Sequence, residues 1–144
     1  MPNWACGTMN LVLPTKNVNT FLSYFKYKEG QQFFHRTVLV GQEQRDNSKG
    51  LSILTLDVDC AWSAGGCLVT INSDENDCIS LENASKECGV KRLAARFEEP
   101  GIGFAEFIRY DTQDGLSYES MDLPSFDDYI DLTDDEEIDD IEID

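Results

Sequence analysis

Apolar and polar positions change their period along this chain, and the changes mark out its elements. Leu54, Leu56, Val58, Cys60 and Trp62 alternate strictly with Thr55, Asp57, Asp59 and Ala61. That two-residue period belongs to a strand with one face in the core and one in water. Val18, Phe21, Leu22 and Phe25 instead recur at i, i+3, i+4 and i+7, which predicts a helix over residues 15–28 with Gly30 as its stop. Residues 8–13 read as a strand ended by Pro14, residues 33–40 as a second strand rich in aromatic and branched side chains, and residues 42–50 as a polar turn. Gly65-Gly66 breaks the long strand, and residues 67–71 read as a short extension of it. A second helix is expected over residues 72–88, led in by Ser73-Asp74 and closed by Gly89. Strands follow at 91–98 and 104–111, separated by Pro100-Gly101, and a hairpin through Asp114-Gly115 leads to residues 116–120.

The resulting order is β-α-β-β-α-β plus a terminal hairpin. It predicts an α+β fold of the split, ferredoxin-like kind, with two helices on one face of an antiparallel sheet. Its 144 residues suit one modest core. We divide the chain into a folded domain, residues 1–118, and an acidic segment, residues 119–144.

Short motifs in the first part suggest a family. Pro2-Asn3-Trp4 with Cys6 close behind, Ala61-Trp62-Ser63 at the end of the long strand, and Glu98-Glu99-Pro100-Gly101-Ile102-Gly103-Phe104-Ala105 before the next resemble the YubB-type ferredoxin-like domain family of plasmids, phages and genomic islands. The resemblance covers residues 1–118. It departs at Ala5, which separates Trp4 from Cys6 where the family has them adjacent, and the acidic segment is no part of it. It implies a fold and a mobile-element origin, and it carries over no catalytic residue.

Charge changes the picture most. The formal net charge is −17, which argues against an ordinary nucleic-acid or anionic-membrane surface and points to basic partners. Residues 119–144 hold 13 of the 28 acidic side chains and neither Lys nor Arg, whereas residues 1–118 carry 15 acids against 11 bases. The domain is nearly neutral and the segment is not. A solvated tail is one reading of such a run. The other is docking, because Leu123, Phe126, Tyr129, Ile130, Leu132, Ile138, Ile141 and Ile143 recur within the acid and Thr133-Asp134-Asp135-Glu136 has the form of a capping box. One or two short acidic helices are therefore expected there. The candidate partner contacts are Asp127, Asp128, Asp131, Asp134, Asp135, Glu136, Glu137, Asp139, Asp140 and Glu142, with Phe126, Tyr129 and Ile130 as apolar anchors.

As a helix, 26 residues span ~39 Å, or one charge per ~3 Å, close to the ~3.4 Å between phosphates of a DNA strand. A compact acidic segment can thus imitate a nucleic-acid backbone and occupy the cationic groove of a basic nucleic-acid-binding protein. With the mobile-element resemblance, this leads to a non-enzymatic inhibitor of a host defence nuclease, a CRISPR effector or a restriction enzyme. One alternative is an accessory or adaptor protein whose segment binds its own body or, through the Ile130-Leu132 stretch flanked by acids, adds a strand to a partner sheet. The other is an RNA-binding ferredoxin-like sheet, for which Lys91, Arg92, Arg96 and Arg109 form the one basic grouping.

The remaining chemistry reads as structural. Five cysteines without a Cys-x-x-Cys pair, and a single histidine, His35, disfavour zinc; Cys60 reads as a small core residue. Asn72-Ser73-Asp74-Glu75-Asn76-Asp77 has the odd-position oxygens of a calcium loop but lacks its glycine at the sixth position and its glutamate at the twelfth. Glu98 and Glu99 are strand neighbours, so they point to opposite faces and cannot share acid–base work. No metal or cofactor is expected. The Met-Pro-Asn-Trp start carries no signal-peptide pattern, and with reduced cysteines this leads us to expect a cytoplasmic protein.

Overall fold

The computed structural model describes residues 3–70 and 77–122. It is an α+β fold with one six-stranded antiparallel sheet and few helices. The strands are β1 (Trp4–Pro14), β2 (Thr37–Asp46), β3 (Leu51–Ala61), β4 (Arg92–Glu99), β5 (Phe104–Asp111) and β6 (Gly115–Asp122). Their spatial order is β2-β3-β1-β4-β5-β6, and every neighbouring pair is antiparallel. Helix α1 (Val18–Ser23) lies between β1 and β2, and α2 (Leu81–Glu87) between β3 and β4.

One core lies between the helices and one face of the sheet. Met9, Leu11 and Leu13 of β1, Leu54, Leu56, Val58 and Cys60 of β3, and Leu93, Ala95 and Phe97 of β4 pack there with Val18 and Phe21 of α1 and Leu81 and Ala84 of α2. The two-residue period of three adjacent strands sends these side chains to the same side. Gly7 shares their parity without a side chain, because the Phe97 ring and the Arg96 carbonyl occupy the space a Cβ would need. Among the described residues no helix is long and apolar enough to cross a membrane.

The strand with strict alternation forms over Leu51–Ala61 with Leu54, Leu56, Val58 and Cys60 inward, but Trp62, expected on the same face, lies past its end, exposed, with φ 70°. Other boundaries move. The first helix was expected over 15–28 but consists of a 3₁₀ turn, Thr15–Asn17, and α1, which ends at Ser23. Tyr24, Phe25 and Lys26 donate to carbonyls three residues back, and the tighter turn ends the helix. The returning chain then closes over it. Phe34 N donates to Tyr24 O at 2.7 Å, and Phe34 packs edge-on against Phe21, Tyr24 and Phe25 at ring separations of 5.8, 5.6 and 4.8 Å. Phe34 therefore closes over α1 and Phe33 bridges to Cys78 instead of starting a strand, and β2 begins only at Thr37.

The polar stretch 42–46 continues β2 along the edge of the sheet, where backbone pairing with β3 suffices without apolar side chains. Only residues 47–50 turn the chain. The Asn47 side-chain oxygen accepts from Lys49 N and Leu51 N at 2.8 and 2.9 Å, and Gly50 takes a positive φ of 83°. The expected extension at 67–71 is instead a single π-helical turn, Gly65–Val69. The second helix is seven residues long rather than 72–88. Ser80 caps it by accepting from Asn83 N at 3.1 Å, and Gly89 follows with φ 67°; the Ser73-Asp74 start expected for it lies outside the described residues. The terminal hairpin forms, with β6 running on to Asp122, so the sheet includes residues 119–122 that the sequence places with the acidic segment.

Gly7 gives a direct test of this packing. Gly7→Ala is expected to cost about 2–3 kcal/mol, as for an overpacked core, read as a lower urea midpoint, whereas Val40→Thr at the exposed edge should change stability by under about 0.5 kcal/mol.

Candidate functional site

The face of the sheet turned away from the helices carries no described element, and strand register decides what it displays. Val38, Asp59, Cys6, Glu98, Ala105 and Met121 form one cross-strand row; Gly41, Asp57, Thr8, Arg96, Phe107 and Glu119 form the next. Glu43, Thr55, Asn10, Ala94, Arg109 and Ser117 make the third row, and Arg45, Ile53, Val12, Arg92, Asp111 and Gly115 the fourth. The formal charge of the rows rises from −2 at the first to +1 at the fourth. One end of the face is acidic and the other basic.

Local contacts follow this gradient. At the acidic end Cys6, Thr8, Asp57, Asp59, Arg96 and Glu98 help to line a shallow depression. Thr8 Oγ1 donates to Asp57 Oδ1 at 3.3 Å, and the Cys6 thiol is pushed up by burial and then by the neighbouring Asp59 carboxylate. Towards the basic end Thr55 Oγ1 donates to Asn10 Oδ1 at 2.9 Å. There Val12, Ile53 and Ala94 form a small buried apolar cluster at 0, 4 and 5% exposure, separate from the main core. Arg92 and Arg109 stand beside it, opposite Val12 and Ala94, while Arg96, directly opposite Phe107, lies one row further towards the acidic end. The basic grouping read from the sequence is thus brought onto one face, except for Lys91, which precedes β4.

The candidate contacts in the acidic segment, Phe126 through Glu142, all lie outside the described residues, as do residues 72–76 of the calcium-like loop. Among the described residues no cluster of three or more His, Cys, Asp or Glu side chains could hold a metal. Glu98 and Glu99 do part to opposite faces: Glu98 is exposed, while Glu99 is buried and accepts from Gly101 N at 2.8 Å and Ile102 N at 2.6 Å, holding the β4–β5 turn.

Sequence reasoning missed two constellations. The first surrounds Glu106, which is fully buried. Its carboxylate accepts from Ala64 N and Gly65 N, each at 2.7 Å, and from Tyr118 Oη at 2.6 Å. It thereby ties the π turn to β5 and β6, beside a Cys67 thiol that donates to Ala61 O at 3.2 Å. The backbone is strained on either side, with Arg36 and Trp62 at φ 48° and 70°. A hydrogen bond from Cys60 lowers Cys67, while the same bond and then burial push Cys60 up, so Cys67 is the member of the pair that ionises first. The visible signal was parity: Glu106 shares the inward phase of Ile108 and Tyr110 in β5. The second constellation is His35 Nδ1, 3.8 Å from Cys78 Sγ, brought close by the Phe33–Cys78 bridge. That contact is weak, and among the described residues no carboxylate orients the ring.

Comparison of the chain with protein-family models, curated proteins and solved structures gives no match.

The Glu106 knot predicts a stability profile. Burial and then the Glu106 hydrogen bond raise the Tyr118 hydroxyl above its ordinary value of 10.0. The folded state therefore holds the proton more tightly than the unfolded state, and this contribution is fully present below pH ~10 and is lost as pH rises beyond it. Urea midpoints measured from pH 7 upward should fall above pH ~10 less steeply in Tyr118→Phe than in the parent chain. Glu106→Ala should cost about 3 kcal/mol at neutral pH by orphaning two buried amide donors.

Proposed function

We propose that this chain is a non-enzymatic acidic interaction protein of a phage or other mobile element. Its acidic segment, residues 123–144, acts as a nucleic-acid mimic that fills the cationic groove of a host defence nuclease, a CRISPR effector or a restriction enzyme, in the host cytoplasm. The observation that carries this reading is the distribution of charge: a nearly neutral folded domain followed by residues 123–144, which hold 11 acidic side chains and no Lys or Arg. The geometry supports it in one respect. The segment follows Asp122 at the end of β6, the outermost strand, so it is tethered at the rim of the sheet and not behind the helices.

The scaffold in this reading is ferredoxin-like, and the resemblance to the YubB-type family supplies its mobile-element setting. The order β2-β3-β1-β4, with a helix after β1 and another after β3, supports that assignment; β5 and β6 then extend the sheet beyond β4. A second reading, a sheet that binds single-stranded RNA, is favoured by one observation: Arg92, Arg96 and Arg109 share with Phe107 the face that no described element covers, and arginine with an aromatic ring is what base stacking and phosphate contact require. The surplus of acid on the chain weighs against it.

The test is inhibition of a basic nuclease by the full chain. Changing Asp131, Asp134 and Asp135 to Asn, and Glu136 and Glu137 to Gln, should weaken inhibition about tenfold or more, a loss of roughly 1.4 kcal/mol. Inhibition by the parent chain should also fall steeply between about 50 and about 300 mM NaCl. Undiminished, salt-insensitive inhibition by the neutralised variant would refute charge mimicry.

A further inference from the structure

We propose that the acidic segment 123–144 docks on the chain's own sheet, against the basic end of the face opposite the helices, with Arg92 and Arg109 there and Arg96 further along the face as its counter-charges. This does not rest on the mimic reading, since a self-docked segment is compatible with any external partner or none.

Three features of the face point to this occupant. The first is charge complementarity. The arginines supply planar donors that match carboxylates two at a time, and the segment offers 11 carboxylates and no competing cation. Because the row charge rises along the face, an acidic segment is repelled at the Asp59–Glu98 end and drawn to the Arg92–Arg109 end. The second is apolar. The buried cluster of Val12, Ile53 and Ala94 lies beside Arg92 and Arg109 on a face with no described element above it. Side chains so fully buried on a face with no described element above them call for a cover, and a segment in which Phe126, Tyr129, Ile130 and Leu132 recur among the acids supplies apolar groups for one, as a purely polyanionic ligand does not.

The third feature is reach. The segment starts beyond Met121, at the acidic end of the face. The basic row lies about six residues further along the strands, ~20 Å away, and β4 lies ~10 Å across from β6. Twenty-two residues can extend to ~70 Å, so the chain can double back with length to spare. Tethering makes the encounter intramolecular, at an effective concentration in the mM range, and modest contacts then suffice. The consequence is competition: an outside partner must displace the segment from its own arginines before it can bind the same carboxylates.

Limited proteolysis of the full chain tests this. Chymotrypsin cleavage at Phe126 and Tyr129 reports how often the segment is undocked. In low salt the parent chain should be cut there about tenfold more slowly than a chain carrying Arg92→Gln, Arg96→Gln and Arg109→Gln. Raising NaCl to about 0.5 M should accelerate cleavage of the parent, where charge is screened within a few Å, and leave the variant unchanged. The salt arm uses the unaltered protein, so it decides the matter even if the triple variant folds poorly. Equal cleavage of the parent in low and high salt would overturn the proposal, as would cleavage independent of salt together with binding of a single-stranded RNA oligonucleotide that the triple variant loses. Failure here leaves nuclease inhibition by the segment untouched, and failure of nuclease inhibition leaves self-docking untouched.

Discussion

Strand β1 is the constraint on which the other elements depend. It is paired to β3 along its whole length and to β4 from Cys6 to Val12, so its backbone groups have little freedom to serve anything else. Its inward residues Ala5, Met9, Leu11 and Leu13 are fully buried. A slip of one residue would carry Thr8 and Asn10 into the core and Met9 and Leu11 out of it. With that register set, the inward faces of β3 and β4 form one apolar surface, and α1 and α2 have a place to bury Phe21, Leu81 and Ala84. The absent side chain at Gly7 belongs to the same arrangement, because the Phe97 ring lies across it.

The described elements cover one face of a six-stranded sheet, and that has a use. The other face mixes charged, hydroxyl and apolar side chains, with a charge gradient running along the strands. Arginine, not lysine, supplies the basic residues of that face, and arginine favours bidentate pairing with carboxylate or phosphate over diffuse attraction. The chain therefore combines a cationic end of this face with an acidic segment tethered at the sheet edge. In the proposed function, recognition of an external basic groove is a difference between two affinities, one internal and one external.

Two buried acids show how the fold handles polar groups at its turns. Glu99 and Glu106 each sit in an inward strand position, and each is satisfied by two backbone N–H groups of a neighbouring turn. A buried carboxylate without donors would be costly. With them, it becomes a rivet that fixes the path of the β4–β5 turn and of the π turn at Gly65–Val69. The strained residues Arg36 and Trp62 flank the second rivet, where surrounding packing holds an otherwise unfavourable backbone.

Local pattern was enough for β3, β4 and β5, because alternation of side chains is a property of consecutive residues. It was enough, too, for the segregation of charge, which can be counted along the chain. It misjudged α1, since the helical spacing of Phe21 and Phe25 is equally the spacing of an aromatic cluster completed by Phe34 from the returning chain. It misjudged residues 42–46, since an edge strand is held by backbone pairing that leaves no apolar signature. Arg92, Arg96 and Arg109 could be listed from the sequence, but only the pairing of β4 with β1 and β5 places Arg92 and Arg109 beside Val12 and Ala94. The His35–Cys78 and Glu106–Gly65 contacts join residues some 40 positions apart, and no local period encodes such distances. By itself the sequence determined which residues face inward along β3 and where the acid lies, because both are one-dimensional. Only the tertiary structure decided which face the arginines share and what the buried carboxylates hold, because both depend on register between strands distant in the chain.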